Sequence, residues 1–208
     1  MVVRLCLIAV LLLGSGWYRT HPAQSSSTHG QRSRHGHGFP AIPTAHAADS
    51  YAIYALLLPG AAEDKIAPAH AMEWSLADTT VNLPDMNPAI PPDGLLKAPA
   101  DNPKAFDEAL DDFESRKDER YSIQATSFHP PLGLRLIDPQ QVRDIREAAS
   151  GDRGVVFFSA VYFNHKQTAA LVYVNDWCAN LCAAGQWVYL EKHGTGWVRR
   201  SGIVTGGS

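Results

Sequence analysis

The stretch Trp177-Cys178-Ala179-Asn180-Leu181-Cys182-Ala183-Ala184-Gly185 decides the fold. It is a bend between two runs rich in Val, Tyr and Trp, Thr168 to Trp177 and Gln186 to Lys192. Both runs have the β-branched and aromatic content expected of strands. Working outward, Val155 to Phe163 and Trp197 to Val204 have the same character. They are joined to the central pair by Asn164-His165-Lys166-Gln167 and His193-Gly194-Thr195-Gly196, connections of hairpin length with turn-forming residues. The pattern predicts a four-stranded antiparallel meander. In its first two strands both alternating residue sets are largely apolar, so part of the sheet should be covered on both faces.

Upstream of the meander the period changes to that of helices. Asn102-Pro103 places a capping residue before a proline at the first helical position and predicts a helix to about Lys117, with Phe106, Ala109, Leu110 and Phe113 inward. Asp107, Glu108, Asp111, Asp112 and Glu114 lack the glycine and ligand spacing of a calcium loop and read as its solvated face. Asp138-Pro139 repeats the start signal for a helix through about Ala149. Asp49 and Ser50 are candidate caps for a shorter helix, Tyr51 to Leu58, ended by Pro59-Gly60. Ala69 to Leu76 reads as a strand, as do Tyr121 to Phe128 and Leu132 to Ile137. Six prolines from Pro84 to Pro103 mark an extended excursion. The expected fold is a single α+β domain over residues 49 to 208, its meander covered by two or three helices.

The N-terminal part reads as targeting rather than fold. Arg4 precedes the apolar run Leu5 to Leu13, which is too short to cross a hydrocarbon core that needs about 20 residues. With Gly14-Ser15-Gly16 after it, the run has the form of a signal peptide over residues 1 to 16. Ala45-His46-Ala47 is a second small-x-small triplet, unusually far downstream. Residues 17 to 48 are rich in Ser, His, Gly and Pro and hold five of the nine histidines, His21, His29, His35, His37 and His46. Imidazoles in such a tract can take metal ions, but the expected reading is a disordered leader or linker, whose composition cannot bury enough apolar surface to order itself.

Charge narrows the partners. The formal net charge is -3, from 18 Lys+Arg against 21 Asp+Glu. Four of the basic residues (Arg4, Arg19, Arg32 and Arg34) precede residue 48 and none of the acidic ones do, which leaves the remainder at about -7. That balance repels a phosphate backbone, so nucleic acid is not an expected partner.

Cys178 and Cys182 form an even pair in a chain read as exported, to the periplasm or beyond, and this predicts a disulfide. Closing so short a loop contributes about 2 kcal/mol by the chain-entropy estimate. A redox role would want Cys-x-x-Cys spacing at a helix N-terminus, whereas three residues intervene here and strands flank them. For a zinc site, the meander puts the turns bearing His165 and His193 roughly 30 Å from the cysteines at about 3.3 Å per residue. Only His70 or His129 could complete such a site, and the expectation is no metal and no cofactor.

Phe158-Ser159-Ala160-Val161-Tyr162-Phe163-Asn164, Ala169-Ala170-Leu171-Val172-Tyr173-Val174, the cysteine bend, Tyr189-Leu190-Glu191-Lys192 and Trp197 together resemble a group of exported bacterial proteins of unknown function. That group carries a Cys-Gly-x-Leu-Cys-Gly-x-Gly bend. The resemblance covers about the last quarter of the chain. Ala179 and Ala183 stand where the group has glycine, and Gly206-Gly207-Ser208 replaces a Trp-Ile-Ser close. It implies export and an α+β domain, with no assigned catalytic residue.

The chain holds no nucleotide-binding glycine pattern, no nucleophile-elbow context and no His-Glu-x-x-His. Three functions follow as expectations. The first is a non-catalytic domain binding a protein, an envelope component or a small molecule, with Trp177, Trp187 and Trp197 as a candidate surface. The second is a hydrolase-type enzyme assembled from His129, Asp176, Glu191 and His193. The third is a thiol-disulfide protein.

Overall fold

A computed structural model describes residues 38–59, 73–129, 132, 135–138, 153–178 and 182–200. The signal-type run, most of the histidine-rich tract, the helix expected from Asp138 to Ala149, the tip of the cysteine bend and residues 201–208 lie outside the described residues. The described helices are α1 (Thr44–Leu57), α2 (Pro92–Leu95) and α3 (Pro103–Arg116). The described strands are β1 (Glu73–Ala77), β2 (Arg135–Ile137), β3 (Arg153–Phe158), β4 (Tyr162–Phe163), β5 (Ala169–Cys178), β6 (Cys182–His193) and β7 (Gly196–Arg199). The α+β content expected from the sequence is present.

The sheet is larger than the expected meander. Its order is β2-β1-β3-β5-β6-β7, with β4 also paired to β5. The pairings β3–β5, β5–β6 and β6–β7 are antiparallel. At the β3 side, β1 and β2 continue it in parallel, so the sheet is mixed rather than a four-stranded meander. Both added strands come from stretches read as strands, but nothing in those short runs specifies which edge they join.

Period-two alternation along β5 and β6 distributes the core. Ala170, Val172 and Val174, with Val188 and Leu190, pack with Tyr51, Ile53, Tyr54 and Leu57 of α1. Ala169, Leu171 and Tyr173, with Trp187 and Tyr189, pack with Ala105, Phe106, Ala109 and Phe113 of α3. Alternate side chains of a strand point to opposite faces, so one helix lies on each face of the sheet. Burying both faces removes far more apolar surface from water than a one-sided sheet of this size, at about 25 cal/mol per Å².

Three local departures from the sequence pattern have identifiable causes. The run Val155 to Phe163 does not continue as one strand, because Ser159 breaks the ladder. Its hydroxyl donates to Ala160 O (2.7 Å) and accepts the Tyr173 N–H (2.9 Å), while its carbonyl accepts from the Tyr54 hydroxyl (2.8 Å). Residues 121–128 form no extended strand. Ser122 makes isolated bridges to Ala41 and Thr79, and Ala125–Ser127 is a 3₁₀ turn. The proline-rich segment is not purely a surface excursion either, since Met86, Pro92, Leu96 and Pro99 are buried.

Helix α1 begins at Thr44, earlier than the expected start near Tyr51. Ala45, Ala47 and Ala48 are strong helix formers and carry the helix back to Pro43. Asp49 is therefore not a cap. It sits within the helix and accepts from Lys192 Nζ (2.9 Å) and Trp197 Nε1 (2.9 Å). Asn102, at the head of α3, makes no side-chain cap and instead donates to Glu191 Oε1 (3.0 Å).

Candidate functional site

Among the described residues, a cleft lies where α3, the N-terminal turn of α1 and the β4–β5 turn meet. Its volume is about 290 Å³, and its lining includes His46, Glu108, Asp111, Asp112, Asn164 and His165. Glu108, Asp111, Asp112 and Ser115 are spaced i, i+3, i+4 and i+7, which puts them on one side of α3. The sequence alone assigned the acidic members of this set to solvent. The β4–β5 turn folds over them and converts a solvated face into a wall.

Each contributor is held by identifiable contacts. The Asn164 side-chain carbonyl accepts from Thr168 N (2.8 Å) and Ala169 N (2.9 Å), and Gln167 takes a left-handed φ of 51°. That geometry closes the turn, in which the Asn164 N–H donates to Ala169 O (3.0 Å) while the N–H groups on either side of it point to α3. The Phe163 N–H donates to Asp112 Oδ2 (2.8 Å) and the His165 N–H to Glu108 Oε2 (3.3 Å). Arg116 Nε donates to Asp112 Oδ1 (2.8 Å), and its Nη2 reaches Val161 O (2.9 Å). Burial alone would lower the Arg116 pKa, but the bond to Asp112 and its charge more than offset that, so the guanidinium stays protonated and its pKa is raised. Asp112 is thus a fastener between α3 and β4. Asp111 is exposed to the cleft mouth. The His46 ring packs against Phe163 (5.1 Å between centroids), and its Nδ1 is buried without a hydrogen-bond partner.

The residues expected from sequence do not assemble into one site. Trp187 is buried against Phe113 and Tyr173, and its Nε1 donates to Ile90 O (2.8 Å). Trp197 is buried with the α1 cluster, and Trp177 packs beside Ile137 and Val155. The three tryptophans therefore belong to three different packing clusters and form no shared exposed surface. Glu191 is buried and accepts from Asn102, from the Tyr189 hydroxyl (3.1 Å) and from Arg200 Nε (3.2 Å). Asp176 pairs in register with Ala184 while Glu191 pairs with Ala169, so the two acids sit near opposite ends of the β5–β6 ladder. At about 3.3 Å per residue, that is roughly 20 Å or more. His193 is exposed on the β6–β7 hairpin and His129 is exposed after the 3₁₀ turn. Burial raises the Asp176 pKa, with Arg199 opposing the shift.

Cys178 and Cys182 are register partners closing the β5–β6 hairpin, at the end of the ladder away from the turns bearing His165 and His193. Among the described residues no group of three or more His, Cys, Asp or Glu could hold a metal ion. No described helix is long and apolar enough to cross a membrane.

The cleft escaped the sequence reading because His46 was assigned to a leader. The four-residue stripe on α3 was its one legible trace. Comparison with protein-family models, curated proteins and solved structures returns no match to this chain.

Proposed function

We propose that the chain is an exported, non-catalytic binding domain whose α3 cleft takes a ligand bearing an ammonium or guanidinium group. The observation that carries this reading is a cavity of about 290 Å³ walled by Glu108, Asp111 and Asp112. A cation there replaces water with carboxylate oxygens in a partly desolvated setting, where charge-assisted hydrogen bonds are roughly twice as strong as neutral ones. Of the three acids, Asp112 is already occupied by Arg116 and the Phe163 N–H. Glu108, whose Oε2 accepts the His165 N–H and whose Oε1 lies 3.8 Å from the exposed Lys104 Nζ, and Asp111, at the mouth, are the acids placed to face a ligand, with Asn164 and His165 on the opposite lip.

Export is supported by Arg4, the apolar run Leu5 to Leu13 and the small residues after it, and by the motif resemblance to exported bacterial proteins. A Cys178–Cys182 disulfide is supported by their pairing in register, since directly opposed strand residues lie within the Cα separation a disulfide spans. A non-catalytic role is supported by the dispersal of His129, Asp176, Glu191 and His193.

Isothermal titration with spermidine at low ionic strength tests the site. The wild-type chain is expected to bind, with affinity falling as salt screens the carboxylates. The Glu108→Gln, Asp111→Asn double variant is expected to bind at least about tenfold more weakly, which corresponds to about 1.4 kcal/mol. No wild-type binding, or equal binding by the variant, overturns the reading.

A further inference from the structure

The segment Phe39–Ala47, which the sequence pattern places in a leader, is engaged with the folded body. The Arg120 guanidinium lies over the Phe39 ring (4.6 Å). Pro40 O accepts both the Ser122 N–H (2.8 Å) and the Ser122 hydroxyl (3.3 Å), and Ala41 bridges to Ser122. Ile42 packs against the core clusters on both faces of the sheet. His46 lies on Phe163, and Thr44 to Ala47 form the first turn of α1.

The triplet Ala45-His46-Ala47 has the small-x-small form that a signal peptidase reads. Cleavage after Ala47 would strip away every one of these contacts. It would also leave a new α-ammonium at Ala48, at the head of what remained of α1, where the helix dipole disfavours a positive charge.

Resting on the export reading above, we infer that the leader is removed upstream of Phe39, and that Phe39–Ala47 remains on the mature protein as a strap joining Ser122, the head of α1 and the cleft. The host's signal peptidase then hydrolyses one peptide bond in the stretch before Phe39. Water supplies the oxygen of the leader's new carboxylate, and the mature chain keeps the new amine. Gly14-Ser15-Gly16, directly after the apolar run, is one upstream triplet of suitable form. His46, a lining residue of the cleft, stays in place because the segment carrying it does.

The test uses the full chain, leader included, expressed in a bacterial host and recovered from the periplasmic fraction for N-terminal sequencing and intact mass. The expected first residue lies between positions 17 and 39. The Ala45→Glu variant places a large charged side chain on an exposed helical position and spoils the downstream triplet for a peptidase. It is expected to mature to the same N-terminus at the same yield. A first residue at Ala48, or accumulation of the unprocessed variant, overturns the inference while leaving export intact. An intact Met1 in the cytoplasm overturns the export reading and the inference together.

Discussion

A methyl group added at Gly185 would meet the Tyr173 hydroxyl oxygen at 1.9 Å and the Asn87 carbonyl oxygen at 2.4 Å. Those two atoms already hold each other, since the Tyr173 hydroxyl donates to Asn87 O (2.7 Å) and accepts the Asn87 N–H (3.0 Å). Gly185→Ala therefore has to break that pair or shift β6. It is expected to cost about 1–3 kcal/mol, the usual range for overpacking, read as a lower urea midpoint with unchanged slope. Asp176 offers a test with a pH signature. Burial raises its pKa and one carboxylate oxygen is buried without a hydrogen-bond partner, so ionisation is disfavoured in the folded state. A group whose folded pKa lies above its unfolded value gives stability below the unfolded value, near pH 4, and loses it as pH rises through the folded one. Asp176→Asn is accordingly expected to exceed wild type in stability at pH 7, with the difference shrinking as pH falls towards 3. A difference that stayed constant across that range would remove the desolvation argument.

At the scale of elements, α1 is fastened to β6 and β7 by Asp49, which takes both Lys192 Nζ and Trp197 Nε1. Trp197 is buried, so Asp49→Ala leaves an indole N–H without an acceptor and is expected to cost about 1–3 kcal/mol, while Asp49→Asn keeps an oxygen for it and is expected to cost less. Hydrogen exchange at α1 amides checks this, with faster exchange in the alanine variant than in the asparagine one. The same residue shows why element boundaries were only partly legible. Asp49 and Asn102 each have the form of a helix cap, and a local pattern assigns them that role. Their actual partners are 143 and 89 residues away, at Lys192 and Glu191, distances over which a short window carries no information. By contrast, the length of α3 and its stripe of Phe106, Ala109 and Phe113 were legible, because proline at the first turn and a 3.6-residue apolar repeat are local signals.

For the whole molecule, the composition of the runs Val155 to Phe163 and Thr168 to Trp177 announced a sheet covered at least in part on both sides, and α1 packs on one face and α3 on the other. The parallel addition of β1 and β2 was not legible, since their register with β3 depends on packing of segments far apart in the chain. Nor was the cleft, which exists only once the first turn of α1, the acidic side of α3 and the β4–β5 turn converge. The proposed binding role requires that convergence to be a ligand site. The direct measurement is an amide NMR titration of the full chain with spermidine, following Phe163 and His165, whose N–H groups donate to Asp112 and Glu108. The predicted result is saturable shifts at Phe163, Asn164 and His165, with Asn175, Asp176 and Trp177 unmoved. Shifts confined to the latter three, or none at millimolar spermidine, would contradict it.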